Sequence, residues 1–88
     1  MKYTVEYSEK ARRSLRKLDQ ATRMLIKSWI DKNLIDCEDP RRFGKGLTAN
    51  RSGQWRYRVG DYRILTEISE GKLLILVIDI DHRSRIYK

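Results

Sequence analysis

From Gln54 to Val59 the chain alternates, with Trp55, Tyr57 and Val59 on one side and Gln54, Arg56 and Arg58 on the other, and Gly60-Asp61 follows at once. A period of two over such a stretch specifies a strand with one covered face. Gly60-Asp61 suits a two-residue hairpin turn, because glycine takes the positive φ needed at the first central position. Together these constraints set a register: Val59 faces Tyr62 and Arg58 faces Arg63. The returning strand runs from Tyr62 to Ile68, and Ser69-Glu70-Gly71 supplies a second turn. Leu73 to Ile80 is apolar on both faces, as a strand covered on both sides requires, and this reading puts it in the middle of the sheet.

Upstream, Tyr3, Val5 and Tyr7 alternate with Lys2, Thr4 and Glu6, which predicts a strand over Lys2 to Tyr7. Ser8 then caps a short helix with Glu9 in its first turn and Ala11, Leu15 and Leu18 on one face. Asp19 caps a second helix over residues 20 to 35, whose apolar stripe is Leu25, Ile26, Trp29, Ile30 and Leu34. Glu38-Asp39-Pro40 ends it, since the residue before proline is pushed out of helical geometry. Between Arg41 and Gly53 periodicity is lost while glycines and the basic residues Arg41, Arg42, Lys45 and Arg51 accumulate, which reads as a basic loop suited to holding phosphate. The order β-α-α-β-β-β predicts an α+β fold: a helical hairpin packed on one face of a small, mainly antiparallel sheet. Eighty-eight residues bury one modest core, so a single domain is expected.

Charge narrows the partners. Twenty Lys plus Arg against twelve Asp plus Glu leave +8, a field that attracts polyanions, nucleic acid first. The other reading is that the excess serves solubility alone. Cys37 is the only cysteine, so neither an internal disulfide nor a cysteine-based zinc site can form within one chain, which favours the cytoplasm. The longest apolar run, Leu73 to Ile78, is far short of a membrane span, so a soluble, unexported protein with no membrane partner is expected.

The hairpin register brings Arg58 and Arg63 together, and like charges directly opposite cost about 0.2 to 1 kcal/mol. A bound anion would offset that repulsion. Arg56 lies on the same strand face, making three fixed cations in one strip. The competing reading is a solvated basic face with Glu67 or Asp79 as partners. Arginine suits phosphate because its planar fork donates paired hydrogen bonds and keeps its charge. Fixed guanidiniums favour a pentacovalent phosphate, which gathers negative charge as it forms, over the ground state.

Beyond the apolar strand, Asp81-His82-Arg83-Ser84-Arg85-Ile86-Tyr87-Lys88 adds an imidazole, two guanidiniums and a phenol. His82 is the natural proton donor or acceptor of this set, although a lone histidine is more often an ordinary surface residue. Tyr87 either stacks on an unpaired base or closes the core.

These stretches resemble the RelE/ParE toxin superfamily: Gly53-Gln54-Trp55-Arg56-Tyr57-Arg58-Val59-Gly60-Asp61-Tyr62-Arg63-Ile64, the apolar strand Leu73 to Ile80, and the ending Asp81 to Tyr87. The resemblance implies a toxin that enters the ribosomal A site and cleaves messenger RNA through attack of a ribose 2′-hydroxyl on the adjacent phosphate, without metal or other cofactor. It matches the two basic residues of the family's second strand to Arg56 and Arg58, the phosphate-holding arginine to Arg63, and the C-terminal arginine and tyrosine to Arg83 and Tyr87. The catalytic set expected is therefore Arg58, Arg63, His82, Arg83 and Tyr87, with Lys45, Arg51, Arg56 and Arg85 as RNA contacts. Some members carry lysines where this chain has Arg56 and Arg58, and arginine is a poor base. His82 takes the acid or base role in this reading, as a C-terminal histidine does in the similar YoeB-type toxins. Those toxins also use a glutamate in the loop before the second strand, and Lys45 to Arg51 contains none.

Two other functions stay open: a ParE-type gyrase inhibitor, which shares the fold but lacks the nuclease ending, and a non-catalytic RNA- or ribosome-binding module. The resemblance also implies a cognate acidic antitoxin and a toxin–antitoxin hetero-oligomer, with complementary charge speeding capture.

Overall fold

The computed structural model describes residues 2–46 and 54–82. Strand β1 (Thr4–Tyr7) leads into helices α1 (Glu9–Lys17) and α2 (Gln20–Asn33). A 3₁₀ turn (Pro40–Arg42) and a two-residue strand β2 (Lys45–Gly46) precede β3 (Gln54–Val59), β4 (Tyr62–Ser69) and β5 (Leu74–His82). The sheet order is β1-β5-β4-β3-β2; β1 runs parallel to β5 and every other pair is antiparallel. The α+β fold with a helical hairpin on a mainly antiparallel sheet is thus as expected.

Some expectations need correction. The middle strand is β4, not the apolar β5, which lies between β1 and β4. The shift comes from β2, an edge strand that a glycine-rich basic stretch without alternation does not announce. Leu73 belongs to the preceding turn at φ 51°, and β5 instead runs on to His82. The expected basic loop 41–53 likewise begins as structure, with the 3₁₀ turn and β2; residues 47–53 lie outside the described ones.

Both helix caps form as expected. Ser8 Oγ accepts from Ala11 N at 3.0 Å and donates to Ile78 O at 2.7 Å, tying the start of α1 to β5. Asp19 accepts from Thr22 N at 3.1 Å. Ala11 and Leu15 of α1 and Ile26, Ile30 and the capping Leu34 of α2 pack on Tyr57, Val59, Ile64, Ile68, Ile75, Val77 and Ile80. Leu25 leaves the expected stripe: it is exposed beside Met24, because the four-residue spacing Ile26–Ile30–Leu34 claims the core face.

A bulge decides what the end of β5 presents. Leu65 pairs with Asp79 but Thr66 pairs with Val77, so one extra residue enters β5. Ile80 is thereby returned to the buried face with Ile75 and Val77. At the bulge the Asp79 carboxylate accepts from Ser14 Oγ at 3.0 Å and meets Lys10 Nζ at 3.5 Å, pinning α1 to the sheet.

Candidate nucleic-acid interface

The hairpin forms in the expected register: Arg58 pairs with Arg63 and Val59 with Tyr62. Gly60 takes φ 57° while Asp61 does not enter the left-handed region, the pattern of a type II′ turn. On the other side of β4, Arg63 pairs with Asp81. Three strands therefore align Arg58, Arg63 and Asp81 in one cross-strand row. The nearest carboxylate by register is Asp81, whereas Glu67 pairs with Gln54 and Asp79 with Leu65. Arg63 is buried, at 6% exposure, and its Nη1 donates to Tyr62 O at 3.3 Å and Gly60 O at 3.5 Å. Such a guanidinium is held by the turn rather than left to rotate. Arg58 beside it is exposed.

Arg56 pairs with Lys45 of β2. Since β2 pairs only two residues, the outer edge of β3 from Tyr57 to Val59 has no ladder partner among the described residues. A cleft of about 430 Å³ opens there. Its cations are Lys45, Arg56, Arg58 and Arg63, and its rings are Trp29, Phe43 and Tyr57. Tyr57 has its side chain in the core and donates its hydroxyl to Pro40 O at 2.5 Å. Burial pushes that phenol far above the ordinary tyrosine range, so it remains a donor.

Close backbone packing shapes the cleft's rim. Gly44 sits at φ 80°, and a Cβ there would lie 2.2 Å from Arg56 O. Trp55 Nε1 donates to Phe43 O at 2.6 Å, and the Arg41 guanidinium lies 5.7 Å from the Trp55 ring centroid. The chain from Arg41 to Lys45 is thus clasped against β3.

His82 is placed elsewhere. It pairs with Tyr62, one residue out of step with Arg63 and Asp81, and so belongs to the opposite face of the sheet from Arg58 and Arg63. Its ring meets Tyr62 edge-on at 5.6 Å, in a second cleft bounded by Ser14, Lys17 and Leu18 at the end of α1. The structure therefore gathers Lys45, Arg56, Arg58 and Arg63 but does not place His82 among them. Arg51, Arg83, Arg85 and Tyr87 lie outside the described residues. The sequence pattern does not mark Trp29 and Phe43 as cleft residues: Trp29 reads as part of a core stripe, and Phe43 sits where periodicity is lost.

A helical hairpin packs on a small, mainly antiparallel sheet, with a cation-lined cleft beside its arginine hairpin, which makes this a small basic α+β protein. The chain belongs to the RelE/ParE superfamily of type II toxin–antitoxin toxins: a family model described as ParE toxin of type II toxin-antitoxin system, parDE, matches residues 5–87. Among individual relatives, Toxin RelG of Mycobacterium tuberculosis (strain ATCC 25618 / H37Rv) is 32% identical over 88 residues, spanning 100% of this chain and 99% of that protein. The toxin–antitoxin complex RelBE2 of M. tuberculosis contains a similar chain, with a TM-score of 0.83 and 30% identity over 96% of this chain and 94% of that one. The isolated E. coli RelE toxin shares the fold at a TM-score of 0.73 and 23% identity, over 97% of this chain and 90% of that one. No helix among the described residues is long and apolar enough to cross a membrane.

Proposed function

We propose that this toxin is a ribosome-dependent endoribonuclease that cleaves messenger RNA in the A site by attack of a ribose 2′-hydroxyl on the adjacent phosphate. The observation that carries the reading is the row of guanidiniums, Arg56 and Arg58 of β3 with Arg63 of β4, gathered with Lys45 around one cleft. Arg63, fixed by the hairpin carbonyls, is preorganised for the charge that builds on a pentacovalent phosphate, and Arg58 supplies a second donor from the facing strand. Arg83 and Tyr87 complete the site in this reading, with Arg51 and Arg85 as further RNA contacts and His82 as the proton-transfer group. His82 stands at the end of β5, where the chain enters that C-terminal stretch. The reading needs no metal or other cofactor.

Relatives of the fold are seen with RelB-type antitoxins, as in the E. coli RelBE complex and in RelE bound to an antitoxin RelB peptide. This toxin is accordingly held in check by a cognate acidic antitoxin in a hetero-oligomer, and acts in the cytoplasm when released. A defined messenger translated with the purified toxin tests the proposal: new 5′ ends within A-site codons are expected, with a cyclic phosphate on the upstream product. The match to a ParE model supports a second reading, gyrase inhibition. Loss of supercoiling with uninterrupted amino-acid incorporation would establish that one instead.

A further inference from the structure

Phe43 is the aromatic residue of the arginine cleft that the core does not use. Tyr57 is fully buried and Trp29 packs against the core cluster, but Phe43 stands outside that cluster at 36% exposure. It is nevertheless held in place. The 3₁₀ turn beginning at Pro40 leads into it, its carbonyl accepts from Trp55 Nε1, and Gly44 after it lies too close to Arg56 O for any side chain. Trp29 meets the Phe43 ring edge-on, with centroids 5.8 Å apart at 72°, and the Arg42 guanidinium lies 5.6 Å from the ring centroid. A braced, exposed ring beside fixed cations matches two halves of one ligand: a π face for a base and paired donors for a phosphate. The cleft, at about 430 Å³, is within the size range of sites that take whole small molecules.

We propose that Phe43 is the stacking platform for one unpaired nucleobase of the messenger, next to the phosphate that Arg58 and Arg63 hold. Phe43 is then a determinant of which codon position the toxin tolerates at its cut. The inference rests on the messenger-cleaving reading and deepens it.

The test uses full-length toxin and ribosomes programmed with messengers that are 2′-O-methylated across the A-site codon, which blocks the attacking hydroxyl. Each messenger in turn lacks one base of that codon. One abasic position is expected to weaken wild-type binding by about tenfold to a hundredfold, the range of a single base–aromatic stack. Phe43→Leu, which keeps apolar bulk without a π face, should lose about as much on the complete messenger and lose nothing further on that abasic one. Phe43→Tyr should bind as the wild type does. Equal wild-type affinity for all abasic messengers overturns the proposal and requires no variant to fold. So does a Phe43→Leu toxin that binds messenger normally but has lost affinity for its antitoxin, which would assign the ring to a protein partner. A toxin that cuts intact messenger yet ignores missing bases loses this inference alone, whereas one that neither binds nor cuts any programmed messenger takes the nuclease reading with it.

Discussion

The cleft at the free edge of β3 and the cleft at the end of β5 lie on one small sheet, yet they are built by different means. The first is lined by side chains whose positions follow from ladder register and a two-residue turn, so its cations are set by backbone hydrogen bonds. The second is closed by a helix end: Ser14, Lys17 and Leu18 reach it only because α1 is pinned over the β5 bulge through Ser8 and Asp79. The first gathers four cations, and the second brings His82 beside Lys17 and Asp81. The arginine row and His82 thus lie on opposite faces of the sheet.

Loss of one fixed donor at the first cleft has the largest expected effect. Arg63→Ala should lower single-turnover cleavage by a factor on the order of a hundred to a thousand. Exposed Arg58→Ala should lower cleavage too, while thermal unfolding shifts by no more than about 0.5 kcal/mol. Unchanged cleavage in both would reduce the arginine row to surface charge. At the second cleft, His82→Gln should slow cleavage by roughly a hundredfold, the low end for a proton-transfer group. Unchanged cleavage would make His82 only the edge-on neighbour of Tyr62.

Gly44→Ala should separate the two regions by structure alone. The added Cβ meets Arg56 O at a positive φ, so a loss of stability exceeding about 1 kcal/mol is expected in denaturant unfolding, along with weaker messenger binding. The His82–Tyr62 ring contact, read by NMR, should survive. If it vanishes as well, the clefts are coupled more tightly than the strand register implies.

The smallest effect concerns Tyr7, whose buried hydroxyl has no hydrogen-bond partner among the described residues. Burial, and then the Asp31 carboxylate, push its phenol up to about 12 from 10.0. The folded state therefore holds this proton more tightly than the unfolded chain. Tyr7 takes no stability from the fold by ionising below pH 10, and stability falls as pH rises from there toward 12. Tyr7→Phe should remove that share of the alkaline loss and raise stability at neutral pH by up to about 1 kcal/mol, read from melting at a series of pH values. An unchanged alkaline transition would assign it to other groups, such as Tyr57.

Much of the first cleft is legible in the chain itself. Alternation from Gln54 to Val59 and the Gly60-Asp61 turn are enough to pair Arg58 with Arg63, because side-chain direction has a strict period of two and a two-residue turn allows one register. The caps at Ser8 and Asp19 are equally local, since each depends on a side chain reaching an amide three residues on. The strand at Lys45–Gly46 is not legible in this way, because two residues carry no period and their pairing depends on β3. Nor is Phe43's place in the cleft, which rests on a carbonyl accepting from Trp55 twelve residues later.

Local chemistry in the sequence therefore determined the order of the two helices and the four longer strands, the hairpin register and the three arginines on one face of that hairpin. Tertiary structure alone decided that Asp81 stands across from Arg63, that His82 faces the other way, and that aromatic rings share the arginine cleft. Those facts depend on which strand lies beside which and on the bulge in β5. A one-residue slip reverses every side chain beyond it, so the faces follow from pairing across the sheet, not from the pattern along the chain.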